Sequence, residues 1–410
     1  MTLFERCQTV RATASTLMLA VALLDPRFGF AQAPSASLDE VIRQLENIEE
    51  GDLASSRAAE LIDPLRTLAL RYQEEGSHEA AAAAIERALA IIRVNYGLHS
   101  LEQAPVILQS IDNEEARDNH GAVWASEQVL LDLARRHPHD LATVPVFREI
   151  ADRRVDSLQR YIAGDHLPEI VIGCYYQYRR TNFVREGCTS GSKGVAVRNL
   201  LLDARRYYED AIAIFRHHEL YSSDELRKLE MKLIRVNYFY GDGSSPLSRY
   251  EHGKDSLRRL IDYDVENSAV LSQIEWLVQL ADWELMHSNN ALALNGYKHA
   301  YERLTREGMP RESIEQLYSP KTPTVLPAFL PNPLVSVQTP QSTGFIDAAF
   351  AINRYGKSRH IEILDTTSNA SKTARRRLMR LISLSRFRPR TEDGRFDGES
   401  PVVLRYYLNE

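Results

Sequence analysis

The chain reads as mainly α: a stack of helical repeats followed by a small α+β domain of three antiparallel strands and one helix. Three observations lead there. Between Leu65 and Ala300 apolar residues recur at intervals of three and four, the period of helices with one buried face. From Gly344 the period switches to two, the mark of a half-buried strand. Between these stretches, Ser319 to Gln341 carries Pro320, Pro323, Pro327, Pro331, Pro333 and Pro340, which remove backbone donors and exclude a helix.

The first segment is a targeting signal by its pattern. Arg6 and Arg11 are followed by Ala12 to Leu24, apolar or small and uncharged, and then by small residues at Gly29-Phe30-Ala31 and Ala31-Gln32-Ala33. Pro34 hinders the second site, so cleavage is expected after Ala31 and the mature chain from Gln32. A span needs roughly 20 apolar residues, and Asp25-Pro26-Arg27 ends this run. No transmembrane helix is expected in the mature chain, and behind a cleaved export signal a periplasmic location is expected. The domains expected are a signal peptide at 1–31, a helical-repeat body at 32–318, a Pro-rich linker at 319–341 and a terminal domain at 342–410. A chain of 410 residues holds two or three cores of that kind.

The repeat body begins with Leu65, Leu68, Ala69 and Tyr72 on one face, Gly76 as a break, and then Ala81, Ile85 and Ala88 on the facing side of a second helix. A second such pair is Leu277, Leu280, Ala281 and Glu284 followed by Ala293, Tyr297 and Ala300. These spacings resemble the tetratricopeptide repeat, a helix-turn-helix unit of about 34 residues. Arg93 stands where that repeat carries proline, so a longer second helix is expected, and Glu284 replaces the aromatic residue. Ala116 to Arg136, Asn199 to His217, Ser223 to Tyr240 and Ser245 to Asp262 carry further helical periodicity. The resemblance implies a curved solenoid whose concave face takes a peptide or a partner helix.

One stretch breaks this rhythm. Glu169 to Tyr178 is β-branched and aromatic and Arg185 to Gly194 is rich in glycine and serine, so an inserted hairpin is expected. Cys174 and Cys188 lie in it and are the two cysteines left after the signal. In an oxidising compartment a local disulfide is the simpler use of such a pair, with two free buried thiols as the alternative.

In the terminal domain, Ile346, Ala348, Phe350 and Ile352 alternate with Phe345, Asp347, Ala349 and Ala351. Asn353 to Gly356 supplies turn chemistry, Ser358 to Thr366 returns as a second strand, Asn369 to Leu384 has helical spacing through Ala374, Leu378 and Leu381, and Pro401 to Leu408 is a last strand. Strand, strand, helix, strand, with Gly344-Phe-Ile346 early, Gly356 in the first turn and Phe387-Arg388-Pro389 after the helix, is similar to the C-terminal domain of TonB-type proteins. That resemblance covers about 65 residues and implies capture of a short extended segment of an outer-membrane transporter, added as a strand to a sheet edge. The candidate partner-binding residues are Arg375, Arg376 and Arg380 on the helix and Val402, Leu404 and Tyr406 on the last strand.

Charge and motif content narrow the function classes. The net charge of −6 argues against a general nucleic-acid binder. From Gln341 onward 13 Lys and Arg face 8 Asp and Glu, a balance of +5 that leaves −11 for the rest. The arginines read either as a solvated helix face or as a docking surface for an acidic partner. No nucleophile elbow, zinc-protease motif or complete phosphate loop occurs, so no catalytic residue, cofactor or metal is expected. His137, His139, His217 and His218 lack ligand spacing and read as surface or cap histidines. The expectation is a periplasmic adaptor between two proteins, not an enzyme. Two alternatives are a membrane-anchored TonB-type energy transducer and a cell-envelope enzyme or peptidoglycan-binding protein that uses the Cys174 to Cys188 insertion.

Overall fold

The computed structural model describes residues 56–162, 193–239, 246–266, 270–318 and, between 320 and 409, all positions except 331, 337, 340, 341, 368, 369, 391–395 and 397. The signal segment, with its cleavage site, and the Cys174 and Cys188 insertion lie outside these residues. The chain divides into two compact units, Met1–Glu219 and Leu220–Glu410.

In the first unit the helices are α1 (Ile62–Glu74), α2 (His78–Tyr96), α3 (Ala104–Ala116), α4 (His120–Arg136), α5 (Val144–Ile162) and α6 (Lys193–His217), each packed on its neighbours in sequence. Leu65, Leu68 and Ala69 of α1 and Ala81, Ile85 and Ala88 of α2 are all buried, because small residues on the facing sides let the two helices approach. Helix α2 does continue past Arg93, which leaves its backbone donor in place, and stops at Gly97 with φ +96°. Short 3₁₀ turns capped by Ser100 and Asp140 precede α3 and α5. First helices starting at Ile62, Ala104 and Val144 set a repeat of about 40 residues, longer than the 34 of the tetratricopeptide unit. Polar side chains bond one pair to the next: Gln109 Nε2 donates to Arg66 O at 2.9 Å, and Asn113 Nδ2 to His78 O at 2.9 Å.

The second unit holds α7 (Asp224–Phe239), α8 (Pro246–Glu266), α9 (Val270–Met286), α10 (Asn290–Arg306) and α11 (Arg311–Tyr318). Ala281, Ala293, Tyr297 and Ala300 are buried where α9 and α10 meet. Gly253 passes beneath the Trp283 indole, where a Cβ would sit 2.1 Å from Cζ2, so the indole of α9 packs directly on the α8 backbone at that point.

The same unit contains β1 (Val325–Leu326), β2 (Ser342–Ile352), β3 (Ser358–Thr366), α12 (Lys372–Leu384), β4 (Arg386–Phe387) and β5 (Ser400–Asn409). The antiparallel order is β3-β2-β5, with Ile352 opposite Ser358 and Ile346 opposite Tyr406. Ile346, Ala348, Phe350 and Ile352 form one core with Leu378 and Ile382 of α12 and Val402 and Leu404 of β5. The linker is bound at several points. Val325–Leu326 pairs antiparallel with Arg386–Phe387, Leu326 joins the α9 and α10 core, and Leu334 is fully buried in the sheet core.

Candidate functional site

The Phe387-Arg388-Pro389 segment joins the sheet to the last helix pair. Phe387 is buried against Phe350, with ring centroids 5.5 Å apart. Arg388 leaves the sheet in the other direction: Nε and Nη2 donate to the two oxygens of Asp282 on α9 at 3.0 and 2.6 Å, and Nη1 donates to Leu317 O at 2.9 Å. Tyr297 donates to the same Asp282 carboxylate at 2.7 Å, and Phe396 lies between Tyr297 and Tyr318. Burial opposes the charge on Arg388, but Asp282 outweighs it and holds the guanidinium above its ordinary value. Burial, with Asp282 adding to it, raises Tyr297 well above the usual phenol range. Arg386 Nη2 donates to Leu285 O at 3.2 Å, and Arg388 N to Thr324 O at 3.0 Å.

The two sheet edges differ. Strand β3 is bulged twice: Leu364 is extra between the Asp347–Asp365 and Ala348–Ile363 pairs, and two β3 residues face Phe350 near His360, whose φ is +50°. Such an edge is twisted out of register for another strand. Strand β5 pairs with β2 without a break from Gly344–Leu408 to Ile352–Ser400. Tyr407 N donates to Ser336 Oγ at 2.9 Å, so its amide points away from β2. By antiparallel alternation the amides of Arg405 and Val403 point the same way, and Pro401, next in that row, has no donor, as suits an outer edge.

The side chains expected to meet a partner are placed differently. Val402 and Leu404 are buried in the core and Tyr406 packs against it, so their side chains hold the domain together. Arg375 turns back to Ala370 O, and Arg376 and Arg380 are exposed on the outer side of α12. On the far face of the sheet Arg405 donates to both oxygens of Asp347 at 2.8 and 2.7 Å and lies 4.1 Å over the Phe345 ring. Those hydrogen bonds hold the Asp347 carboxyl below its usual value.

Within the helical units, buried charges are bonded between helices. Glu284, which replaces the aromatic residue of the repeat pattern, accepts from Tyr250, Lys254 and Asn289. Glu230 takes both forks of Arg259 at 2.7 and 2.8 Å. In the first unit Arg154 binds both oxygens of Glu127, and the nearby Asp203 is raised from 3.8 to about 6 by burial, against the pull of Arg154 and Arg206. The folded chain therefore holds that proton more tightly than the unfolded chain, and stability falls as pH rises from about 4 to about 6. Asp203→Asn is expected to flatten this slope and to raise the unfolding free energy above pH 7 by about 3 kcal/mol. Urea titrations across that range measure it, and an unchanged slope would refute it.

Three of the four histidines that lacked ligand spacing converge, while His137 Nε2 donates to His99 O at 2.9 Å. His139 stacks on His217 at 4.1 Å, His217 meets His218 edge-on at 5.3 Å, and His218 Nε2 donates to His139 O at 2.6 Å. Among the described residues no group of three His, Cys, Asp or Glu is arranged to hold a metal ion, and no helix is long and apolar enough to cross a membrane. No family model matches the chain, and no curated protein matches it.

Proposed function

We propose that the protein is a periplasmic adaptor: a tetratricopeptide-like repeat body binds one protein, and the TonB-like terminal domain takes an extended segment of another as a fourth strand beside β5. The observation that supports this reading is the contrast between the two edges, a doubly bulged β3 and an unbroken β5 with outward amides at Val403 and Arg405. Backbone pairing along β5 supplies affinity and leaves side-chain identity on the partner loosely specified.

Recognition of this kind depends on the backbone more than on the side chain. Full-length protein with Val403→Pro loses one outward donor and carries a ring that obstructs an incoming strand, so capture of envelope proteins should fall at least about tenfold. Val403→Thr keeps the donor and should retain capture. Quantitative pull-down from periplasmic extract compares the two. Equal capture by wild type and Val403→Pro, or equal loss in both variants, would refute strand addition at this edge.

A further inference from the structure

We propose that the outer face of α12 docks the terminal domain on an anionic lipid bilayer. Between Thr366 and Thr391 there is no Asp or Glu, and α12 carries Lys372, Arg375, Arg376, Arg377 and Arg380. Among the described residues Lys372, Arg376, Arg377 and Arg380 make no ion pair, whereas Arg154, Arg227 and Arg259 of the helical units are bonded to carboxylates. The acids of the neighbouring strand do not reach them. Glu362 and Asp365 pair opposite Ala349 and Asp347, on the face of the sheet turned away from the helix.

This arrangement works against the helix itself. Lys372, Arg376 and Arg380 stand at i, i+4 and i+8, a straight row about 6 Å apart, and like charges at that spacing repel. Cations in the first turn also oppose the helix dipole, and no acid there offsets them. Packing of Leu378 and Ile382 into the sheet core holds the row in place regardless.

The same exposed half of the helix carries two apolar side chains, Met379 at 38% and Leu384 at 65% exposure. An acidic peptide would neutralise the arginines and leave both in water. A bilayer with anionic headgroups satisfies both sets: cations meet phosphates while Met379 and Leu384 enter the acyl boundary, as in helices that lie in an interface. Neither use involves the β5 edge, so a head docked this way keeps that edge available, and this inference stands whether or not strand addition occurs.

The test is co-sedimentation of the full-length chain with vesicles of phosphatidylcholine containing phosphatidylglycerol, against phosphatidylcholine alone. Binding is expected only to the anionic vesicles, with reversal by high salt. Arg376→Gln with Arg380→Gln should weaken it about thirtyfold, roughly fivefold for each cation removed. Leu384→Ser should weaken it about fivefold. Lys298→Gln with Arg311→Gln removes as much charge from exposed helical positions elsewhere and should leave binding unchanged. Equal weakening by that control pair, binding to soluble polyglutamate without preference for anionic vesicles, or salt-reversible self-association without vesicle binding would each overturn the proposal.

Discussion

Arg388→Ala is expected to cost about 3–5 kcal/mol, because it strands the Asp282 carboxylate in a site where both residues are buried. Tyr297 still donates to Asp282, but one phenol cannot replace a bidentate guanidinium. For a unit of this size the melting temperature should fall by roughly 10 °C. Removing both charges tells the rest. Arg388→Met with Asp282→Leu deletes the pair together and should recover most of the loss, since a well-packed apolar pair is often as stable as a buried ion pair. Thermal melts of the wild type and the variants measure both, and a single mutant that melts with the wild type would show that water reaches Asp282.

Gly356→Ala is expected to cost about 3 kcal/mol at the same joint. Its φ is +68°, which adds about 1–2 kcal/mol for any residue with a Cβ, and that Cβ would lie 2.0 Å from Phe387 O. The obstructing atom is backbone. Phe387 N also donates to Gly356 O at 2.8 Å, so relief of the clash separates the β2–β3 turn from β4. Amide hydrogen exchange should quicken at Phe387 and along Val325–Leu326, while α1 to α5 keep their protection. Unchanged exchange there would mean that the turn rotates without disturbing β4.

How far the chain could be read in advance follows from the range of the forces involved. The alternation of Ile346, Ala348, Phe350 and Ile352 is local, and these four are the buried face of β2. Ala81, Ile85 and Ala88 are likewise buried on α2. The positions of β2, β3 and α12 follow from such patterns, to within a few residues at each end. The pairing of Val325–Leu326 with Arg386–Phe387 has no such pattern, for two residues among prolines carry no period. Nor does the Arg388–Asp282 bond, whose partners are 106 residues apart in sequence. Glu284 did carry a hint. An acid at the place of an aromatic residue calls for buried partners, and Tyr250, Lys254 and Asn289 supply them. For the site, exposure of Arg376 and Arg380 followed from helical phase, whereas the sharing of β5 between core side chains at Val402 and Leu404 and outward amides at Val403 and Arg405 needed the register.

The double bulge of β3 has a bearing on assembly. A sheet open on both sides can grow without limit, each added copy presenting a fresh edge to the next, which is the route to fibres. With β3 blunted, strand pairing between two copies of the domain would run β5 to β5, and such a self-complementary contact closes on a two-fold axis instead of propagating.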